Sequence, residues 1–255
     1  MVTQPDPPVE DFAQTESWSK VLESIASQPL EKCPDFPRIA ARHEAWWNCE
    51  LQGAPLFLAW GSRDGYPLTR GLELLATPEA WLDNRIEMLD HMLFIGDTIP
   101  WIRVDFGPVM LGGLLGAEVE FYQDTTWTKR SIRDDWSNAP DWQIAEENPW
   151  WQLLPRLIDL AASHACGRHL VCAPNLGAPG DVLLNMRGAS QLCLDVIDQP
   201  ERVRQAVTAI HYAWRKAYQR MWDACLRHST GFIEWVAIWS NRPYVVTDCD
   251  FNYLI

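Results

Sequence analysis

The sequence predicts a parallel α/β protein, and three observations support this fold class. Short apolar runs of strand length alternate along the chain with longer segments that carry apolar residues at helical spacing. The 255 residues, 47% of them hydrophobic and 22% charged, suffice for one large domain with a sizeable core. Only about four βα units can be counted, and the last strand has no covering helix. Since a complete eight-stranded barrel needs about 250 residues with shorter connections, we expect the chain to be the N-terminal part of a longer protein.

Four regions are predicted to be strands because each is a short apolar run bounded by glycine, proline or polar residues. The run IPWIRV is the clearest of them, since Asp105 follows it directly and Gly107 and Pro108 then form a predicted turn. The predicted strand regions are residues 54–60, 99–104, 170–176, and the pair 232–239 and 244–250.

Helices are predicted where apolar residues recur every three or four positions. Thr77 before Pro78 and Asn148 before Pro149 give helix starts with an N-cap and an N1 proline, and Gly231 ends the last helix. The predicted helices are residues 11–27, 37–49, one from 77, 148–166, 181–197, and one from about 200 to 228.

Two segments are predicted to lie outside regular structure. Residues 1–10 are polar and proline-rich and are expected to form a disordered tail, which leaves residues 11–255 for the domain. Residues 123–147 read as a long polar and aromatic loop, a feature that is usually functional or mobile.

The composition excludes several classes of function. A net charge of −13 provides no basic stripe for phosphate contacts, so a nucleic-acid partner is excluded. Seven scattered cysteines predict reduced thiols, and no segment approaches the roughly 18 apolar residues of a membrane span, so we expect a cytoplasmic protein without membrane contact. The 15 tryptophans could stack on a flat ligand, but most are expected to fill the core.

Polar side chains follow the predicted strands, where ligands bind in barrels and doubly wound sheets. Asp105 is the leading candidate, with helix capping or an arginine ion pair as its structural alternative. Paired acids at these ends could bind a metal through oxygen or divide acid and base roles. His43 is expected in the core, and His164 with Cys166 is a poor zinc pair because the two side chains diverge on a helix. The strand-end candidates are Trp60, Arg63, Asp64, Asp105, Asn175, Asp248 and Asp250.

Four stretches resemble the uroporphyrinogen decarboxylase superfamily. The segment GDTIPWIRVDFGPVMLGGLLGAEVEF resembles a strand that ends in a functional Asp and runs on to a Leu-Gly. The segment APNLGAPGDVLLNMRGASQLCLDVIDQPERVRQAV resembles the Gly-x-Pro loop and the helix start that follows it. RHEAWWNCELQGAPLFLAW resembles the lead-in to the first strand, and VVTDCDFNYLI resembles the segment before a Ser-Pro motif. The pattern covers most of residues 37–255.

This resemblance implies a (β/α)8 TIM barrel, of which about four βα units are present, and two alternative reactions. The first is corrinoid-linked methyl transfer to or from a small molecule, with a corrinoid and zinc in the full-length protein and a corrinoid protein as partner. The second is porphyrinogen decarboxylation, in which Asp105 would contact the pyrrole nitrogens of a tetrapyrrole and no cofactor is required. A non-catalytic half-barrel is a third hypothesis, and a second copy of the chain is a further candidate partner.

Departures from the family pattern favour the methyl-transfer alternative. The decarboxylases follow their first strand with Arg-Gln-Ala-Gly-Arg, which holds the substrate carboxylates, whereas FLAWGSRDGY here offers Arg63 alone. The His-x-Cys zinc motif of the methyltransferase branch belongs to later barrel strands, so no metal ligand is assigned within this chain. We therefore assign Asp105 as the catalytic residue. The residues assigned as substrate contacts are Trp60, Arg63, Asn175, Asp248 and Asp250.

Overall fold

The structure, a computed structural model, describes residues 15–65, 77–104, 107, 110–122, 126–133, 135–246 and 249–250. The helices of this part are α1 Thr15–Ala26, α2 Phe36–Trp47, α3 Pro78–Asp90, α4 Met110–Leu114, α5 Pro149–Ala165, α6 Pro179–Arg187, α7 Ala189–Asp198 and α8 Pro200–Arg227. The strands are β1 Leu58–Ser62, β2 Met92–Gly96, β3 Trp101–Arg103, β4 Val119–Phe121, β5 Thr126–Thr128, β6 Leu170–Cys172 and β7 Phe232–Ile233. The predicted tail at residues 1–10 lies outside the described residues.

A three-stranded parallel sheet forms the centre of the fold, in the order β3-β6-β7. Trp101 pairs with Leu170, and Val171 pairs with Phe232. All three strands are almost wholly buried, which is why they read as continuous apolar runs. The parallel α/β prediction is thereby confirmed, while the strands that the structure describes do not close into a barrel.

The first predicted strand requires a correction, because it does not join the parallel sheet. β1 pairs antiparallel with β2, in the register that places Trp60 opposite Phe94. The apolar residues after α3 therefore form a strand instead of extending that helix. Thr98 holds the pair in place, since its hydroxyl accepts from the Ala59 N–H at 2.8 Å.

The last predicted strand region is also shorter than expected. Within the described part of this region, only Phe232–Ile233 pair as a strand, after which the Ala237 N–H donates to the Glu234 carbonyl at 2.8 Å and turns the chain. Ala237 itself has a φ of 59°, so the backbone leaves the extended conformation there. This turn carries the residues after β7 across the end of the sheet.

The core is rich in tryptophan, as predicted. Eight of the 15 tryptophans are buried, among them Trp222, which stacks on Trp18 with ring centroids 5.8 Å apart. The long α8 packs along α5 and α6 and covers the sheet. Since large aromatic side chains bury the most apolar area, they supply much of the hydrophobic stabilisation of this layer.

His43 is a core residue, as the sequence predicts. Its Nδ1 accepts from the Trp239 N–H at 2.8 Å, so Nε2 carries the proton and donates to the Asp97 carbonyl at 2.8 Å. Burial lowers the pKa of His43, since an imidazolium would lose its hydration there. The neutral ring thus ties α2 to the segment after β2 and to the segment after β7.

A buried ion pair links α6 to α7. Arg187 Nε donates to Asp195 at 2.6 Å, and both side chains are 1% exposed. The same guanidinium donates to the Arg133 carbonyl at 2.7 Å and lies 5.3 Å from the centre of the Trp136 ring. Gly188, with a φ of 88°, separates the two helices and lets this pair form across the bend.

Two further observations concern the described part of the chain. None of its helices combines the length and the apolar character that a membrane span requires. All seven cysteines lie within it, and no disulfide joins them.

Candidate functional site

A cavity of about 470 Å³ opens beyond the carboxyl ends of β6 and β7. Its walls come from the loop after β6, the start of α6, one face of α8, the turn after β7, and β5. This volume lies within the range of about 300–1,000 Å³ that small-molecule sites occupy. The carboxyl edge of a parallel sheet is also where α/β proteins bind ligands.

The loop after β6 forms one wall because its sequence specifies a tight turn. The side-chain oxygen of Asn175 accepts from the Gly177 N–H at 2.9 Å, and Gly177 has a φ of 75°. Pro179 then occupies the first turn of α6, where a missing N–H is tolerated. The turn places Asn175 at the cavity and directs the first turn of α6 toward it.

Glu234 lies at the end of β7 and lines the cavity. The residue is 4% exposed, and its Oε1 has no hydrogen-bond partner. Burial raises the pKa of Glu234 to about 8, although the Tyr218 hydroxyl and the Trp235 N–H both favour the ionised form. At neutral pH the carboxyl group is therefore mostly protonated, and it can donate a hydrogen bond or a proton into the cavity.

Two tyrosines fix the position of Glu234. The Tyr218 hydroxyl donates to the Tyr244 carbonyl, and the Tyr244 hydroxyl donates to the Ile238 carbonyl and accepts from the Glu234 N–H. Burial raises the pKa values of both phenols, so they remain neutral donors. The network connects α8 to the turn after β7 and fixes the backbone of Glu234 beside the cavity.

The lining of the cavity is aromatic and acidic. The described lining contains four aromatic and three acidic side chains, but neither Lys nor Arg. These side chains are Trp127, Trp214, Tyr218, Trp235, Asp181, Glu234 and Asp250. Arg103 is close by, where it donates to the Trp235 carbonyl at 3.0 Å without lining the cavity.

Two of the strand-end residues assigned from the sequence line this cavity. Asn175 forms the loop turn described above, and the Asp250 N–H donates to Asp181 at 3.2 Å. Trp60 and Arg63 lie elsewhere because β1 belongs to the antiparallel pair. Trp60 packs edge-on against Trp101, and Arg63 is exposed in a 3-10 turn after β1. Asp105 and Asp248 lie outside the described residues, so their assigned roles stay predictions.

Glu234, Tyr218 and Asp181 line the cavity but are not among the residues predicted from the sequence. Glu234 carried a signal, since it is the lone charged residue in the apolar run FIEWVAIW. Trp214 and Tyr218 stand one helical turn apart on α8 and stack with ring centroids 4.9 Å apart. Nothing in that amphipathic pattern separates residues that face a cavity from residues that face the core.

The described residues do not assemble a metal site. Among them, no group of three or more His, Cys, Asp or Glu side chains could hold a metal ion. His164 Nδ1 lies 3.0 Å from His169 Nε2, while Cys166 is exposed. Burial lowers the pKa of His169 to about 4, so this ring is neutral and the contact is a hydrogen bond between two imidazoles.

Comparisons with known proteins give one structural relationship. No protein-family model matches the chain, and no curated protein matches it significantly. A methyltransferase from Methanosarcina mazei has a similar fold, with a TM-score of 0.53 and 12% sequence identity over 73% of this chain. The match covers 56% of that methyltransferase, so the chain spans little more than half of its length. At this identity the similarity concerns the fold.

Proposed function

We propose that the chain belongs to an enzyme that transfers a methyl group to or from a small molecule held in the cavity. The observation that carries the proposal is a cavity of small-molecule size at the carboxyl edge of a parallel sheet, in a fold similar to that of a methyltransferase. Because the chain spans only part of that methyltransferase, we propose methyl transfer as the activity of the complete protein.

We extend the proposal to a (β/α)8 barrel of the uroporphyrinogen decarboxylase superfamily as the complete domain. The order β3-β6-β7 supports it, because parallel neighbours that follow one another along the chain are the pattern of a barrel. A doubly wound sheet instead reverses its strand order at a switch point. The resemblance of residues 96–121 and 173–207 to that superfamily points the same way.

In the proposed reaction, the bond between the methyl carbon and its donor atom breaks, and the electron pair stays on the donor atom. A nucleophile contributes the pair for the new bond to carbon. The residues of this chain bind and orient the small molecule, and the aromatic walls exclude water from the transfer. Glu234 either donates its proton to a leaving oxygen or sulfur, or loses it and faces a cation as a carboxylate.

A corrinoid would supply a cobalt centre that accepts or donates the methyl group, but it does not fit inside this cavity. A corrin macrocycle with its side chains is larger than the ligands that a cavity of about 470 Å³ encloses. We therefore propose that a corrinoid partner protein presents it at the mouth of the cavity. The described residues do not provide a zinc site either, so we derive no step from zinc.

The lining argues against porphyrinogen decarboxylation. Uroporphyrinogen carries many carboxylates, which require arginine or lysine partners. The described lining offers three acidic side chains and no basic one, so it would repel such a substrate.

The test incubates the complete protein that contains this chain with reduced cobalamin and a panel of methylated amines, thiols and alcohols, and with methylcobalamin and the demethylated compounds. We expect the absorbance spectrum of cobalamin to change with at least one compound. Asp181→Asn should reduce the rate, whereas Asp35→Asn, which removes an exposed carboxylate remote from the cavity, should not. No spectral change in either direction with any compound would refute the proposal.

A further inference from the structure

We propose that the cavity binds a compact organic cation of the methylammonium class, held between aromatic faces and carboxylates. The inference rests on the proposed function only where it treats the ligand as a methyl donor. The binding of a cation is inferred from the side chains that line the cavity. The class includes quaternary ammonium groups, whose charge is spread over methyl groups that contact aromatic rings.

Aromatic side chains line the cavity from several directions. Trp127 comes from β5, Trp214 and Tyr218 from α8, and Trp235 from the turn after β7. The faces of such rings carry the negative part of the aromatic quadrupole and attract cations within about 6 Å of the ring centre. Trp127 is 48% exposed at this edge, which leaves its ring available to a ligand.

The acidic side chains determine the sign of the ligand charge. Asp181 and Asp250 bring negative charge to the lining, and Glu234 adds a buried carboxyl group with one oxygen free of hydrogen bonds. An anion in the cavity would be repelled by the two aspartates, whereas a cation would be attracted by them. A neutral apolar ligand would leave the Glu234 oxygen without a partner.

The start of α6 is a feature of the described lining that would favour an anion. The N terminus of a helix carries a partial positive charge, and α6 begins at the cavity. Asp181 lies in the first turn of this helix and offsets that charge with its carboxylate. The balance of the lining therefore remains negative.

Cation binding should remove the proton from Glu234. The titratable and charged groups that face this residue are Tyr218, Tyr244, Cys172, Arg103, Asp181 and Asp250. Both tyrosines remain neutral, and Arg103 is not among the groups that shift the pKa of Glu234, so a bound cation would compensate a charge on this carboxyl group. Since the pKa of Glu234 is about 8 without ligand, binding should release a proton below this pH, and affinity should rise as the pH increases through it.

A quaternary ammonium ligand agrees with methyl transfer. When its bond from methyl carbon to nitrogen breaks, the electron pair stays on nitrogen and a neutral amine leaves. A thiolate supplied by a partner would act as the nucleophile and provide the electron pair for the new bond to the methyl carbon. The leaving amine needs no proton, so the carboxylate form of Glu234 is compatible with this reaction.

The experiment measures binding of choline to the full chain by titration calorimetry, with dimethylbutanol as the comparison ligand. Dimethylbutanol has the shape of choline, but carbon replaces the charged nitrogen. We expect choline to bind at least about tenfold more tightly, because cation–π and carboxylate contacts act on the charge alone. Each titration is repeated in two buffers that differ in ionisation enthalpy, which gives the number of protons released on binding. The measurements are made at about pH 6.5 and about pH 9.5, below and above the pKa of Glu234.

Variants locate the site on the protein. Asp181→Asn keeps an oxygen that can accept from the Asp250 N–H, and it should weaken choline binding by about fivefold. Trp127→Leu should weaken it by about threefold or more, because the exposed ring contributes a cation–π face. The matched controls Asp35→Asn and Trp46→Leu remove exposed side chains of α2 and its flank, outside the lining, and should leave binding unchanged.

The outcomes separate this inference from the proposed function. Equal binding of choline and dimethylbutanol, or no binding of either, would overturn the cation site even if methyl transfer from a neutral donor were observed. Binding that prefers choline and weakens in Asp181→Asn would establish the site even if the cobalamin assay showed no transfer. Unchanged choline binding in both Asp181→Asn and Trp127→Leu would refute the location.

Discussion

Replacing Glu234 by glutamine should change how the stability of the protein depends on pH. In the unfolded chain a glutamate titrates near 4.5, whereas burial raises the pKa of Glu234 in the folded protein to about 8. Between these two values the unfolded state releases a proton that the folded state keeps. The free energy of unfolding of the wild type therefore falls as the pH rises through this window, and glutamine, which has no such proton, removes this contribution.

The size of the effect follows from the width of the window. Each pH unit between the two pKa values contributes about 1.4 kcal/mol, so about 3.5 units give ~5 kcal/mol when the pH exceeds 8. Below pH 4.5 both states are protonated, and the difference between the two proteins reflects only the exchange of a carboxyl group for an amide. The stability of the variant relative to the wild type should thus rise from pH 4.5 to about 8 and then remain constant.

Urea unfolding followed by tryptophan fluorescence measures this difference, because buried tryptophans such as Trp222 report the loss of the core. Titrations of all other groups, including His43, are common to both proteins and cancel in the comparison. Glu201→Gln, which removes an exposed carboxylate at the start of α8, serves as the matched control. A difference between wild type and Glu234→Gln that does not vary from about pH 4.5 to 9 would refute the reasoning, since it would mean that Glu234 titrates alike in both states.

Two further predictions concern the stability of the fold. Arg187→Met leaves Asp195 buried without its guanidinium partner and should lower the free energy of unfolding by about 3–5 kcal/mol. Replacing Asp195 by leucine in the same variant should recover most of this loss. If chemical denaturation showed no recovery, the ion-pair explanation would be wrong. Gly231→Ala would place a Cβ 2.6 Å from the Trp239 ring and should destabilise the protein by about 1–3 kcal/mol, whereas Gly61→Ala, with no atom within 4 Å, should change the melting temperature little.

The helices were the most predictable part of the fold. The prediction for residues 148–166 agrees with the observed Pro149–Ala165, and that for about 200–228 agrees with Pro200–Arg227. Both begin with a proline in the first turn and carry a long apolar stripe, so local sequence alone specifies them. The helix predicted at 181–197 is divided by Gly188, whose positive φ bends the chain and lets the ion pair between α6 and α7 form.

Strand pairing was less predictable because it depends on partners distant in sequence. The apolar run at 54–60 has the composition of a buried strand, but its pairing with β2 and its hydrogen bonds to Asp97 and Thr98 make it antiparallel. The spacing of apolar residues cannot show whether this strand pairs with the parallel sheet or antiparallel with β2. The same error affected the predicted site. Trp60 and Arg63 were assigned to the edge of the parallel sheet because the strand before them was expected to belong to that sheet.

The strand-end rule places Asn175 at the cavity, because this residue follows β6. Asp250 also lines the cavity, although residues 244–246 before it do not form the predicted strand. Glu234 follows the same rule, as it comes immediately after β7, but the predicted strand ran past it to residue 239. The turn closed by the Ala237 N–H is what ends the strand early, and it arises from a left-handed alanine that no propensity indicates. A lone acid within an apolar run was therefore the only sequence signal for this residue.

The position of Glu234 also explains how ligand binding and stability are connected. A buried carboxyl group lowers stability at neutral pH by several kcal/mol, a large share of the 5–15 kcal/mol that keeps a typical domain folded. A cation beside this group would recover that energy, because the folded protein could then ionise as the unfolded chain does. The ligand that fits the cavity should accordingly stabilise the wild type more than Glu234→Gln, and this excess should increase with pH up to about 8 and remain constant above it, where the carboxyl group is already ionised without ligand.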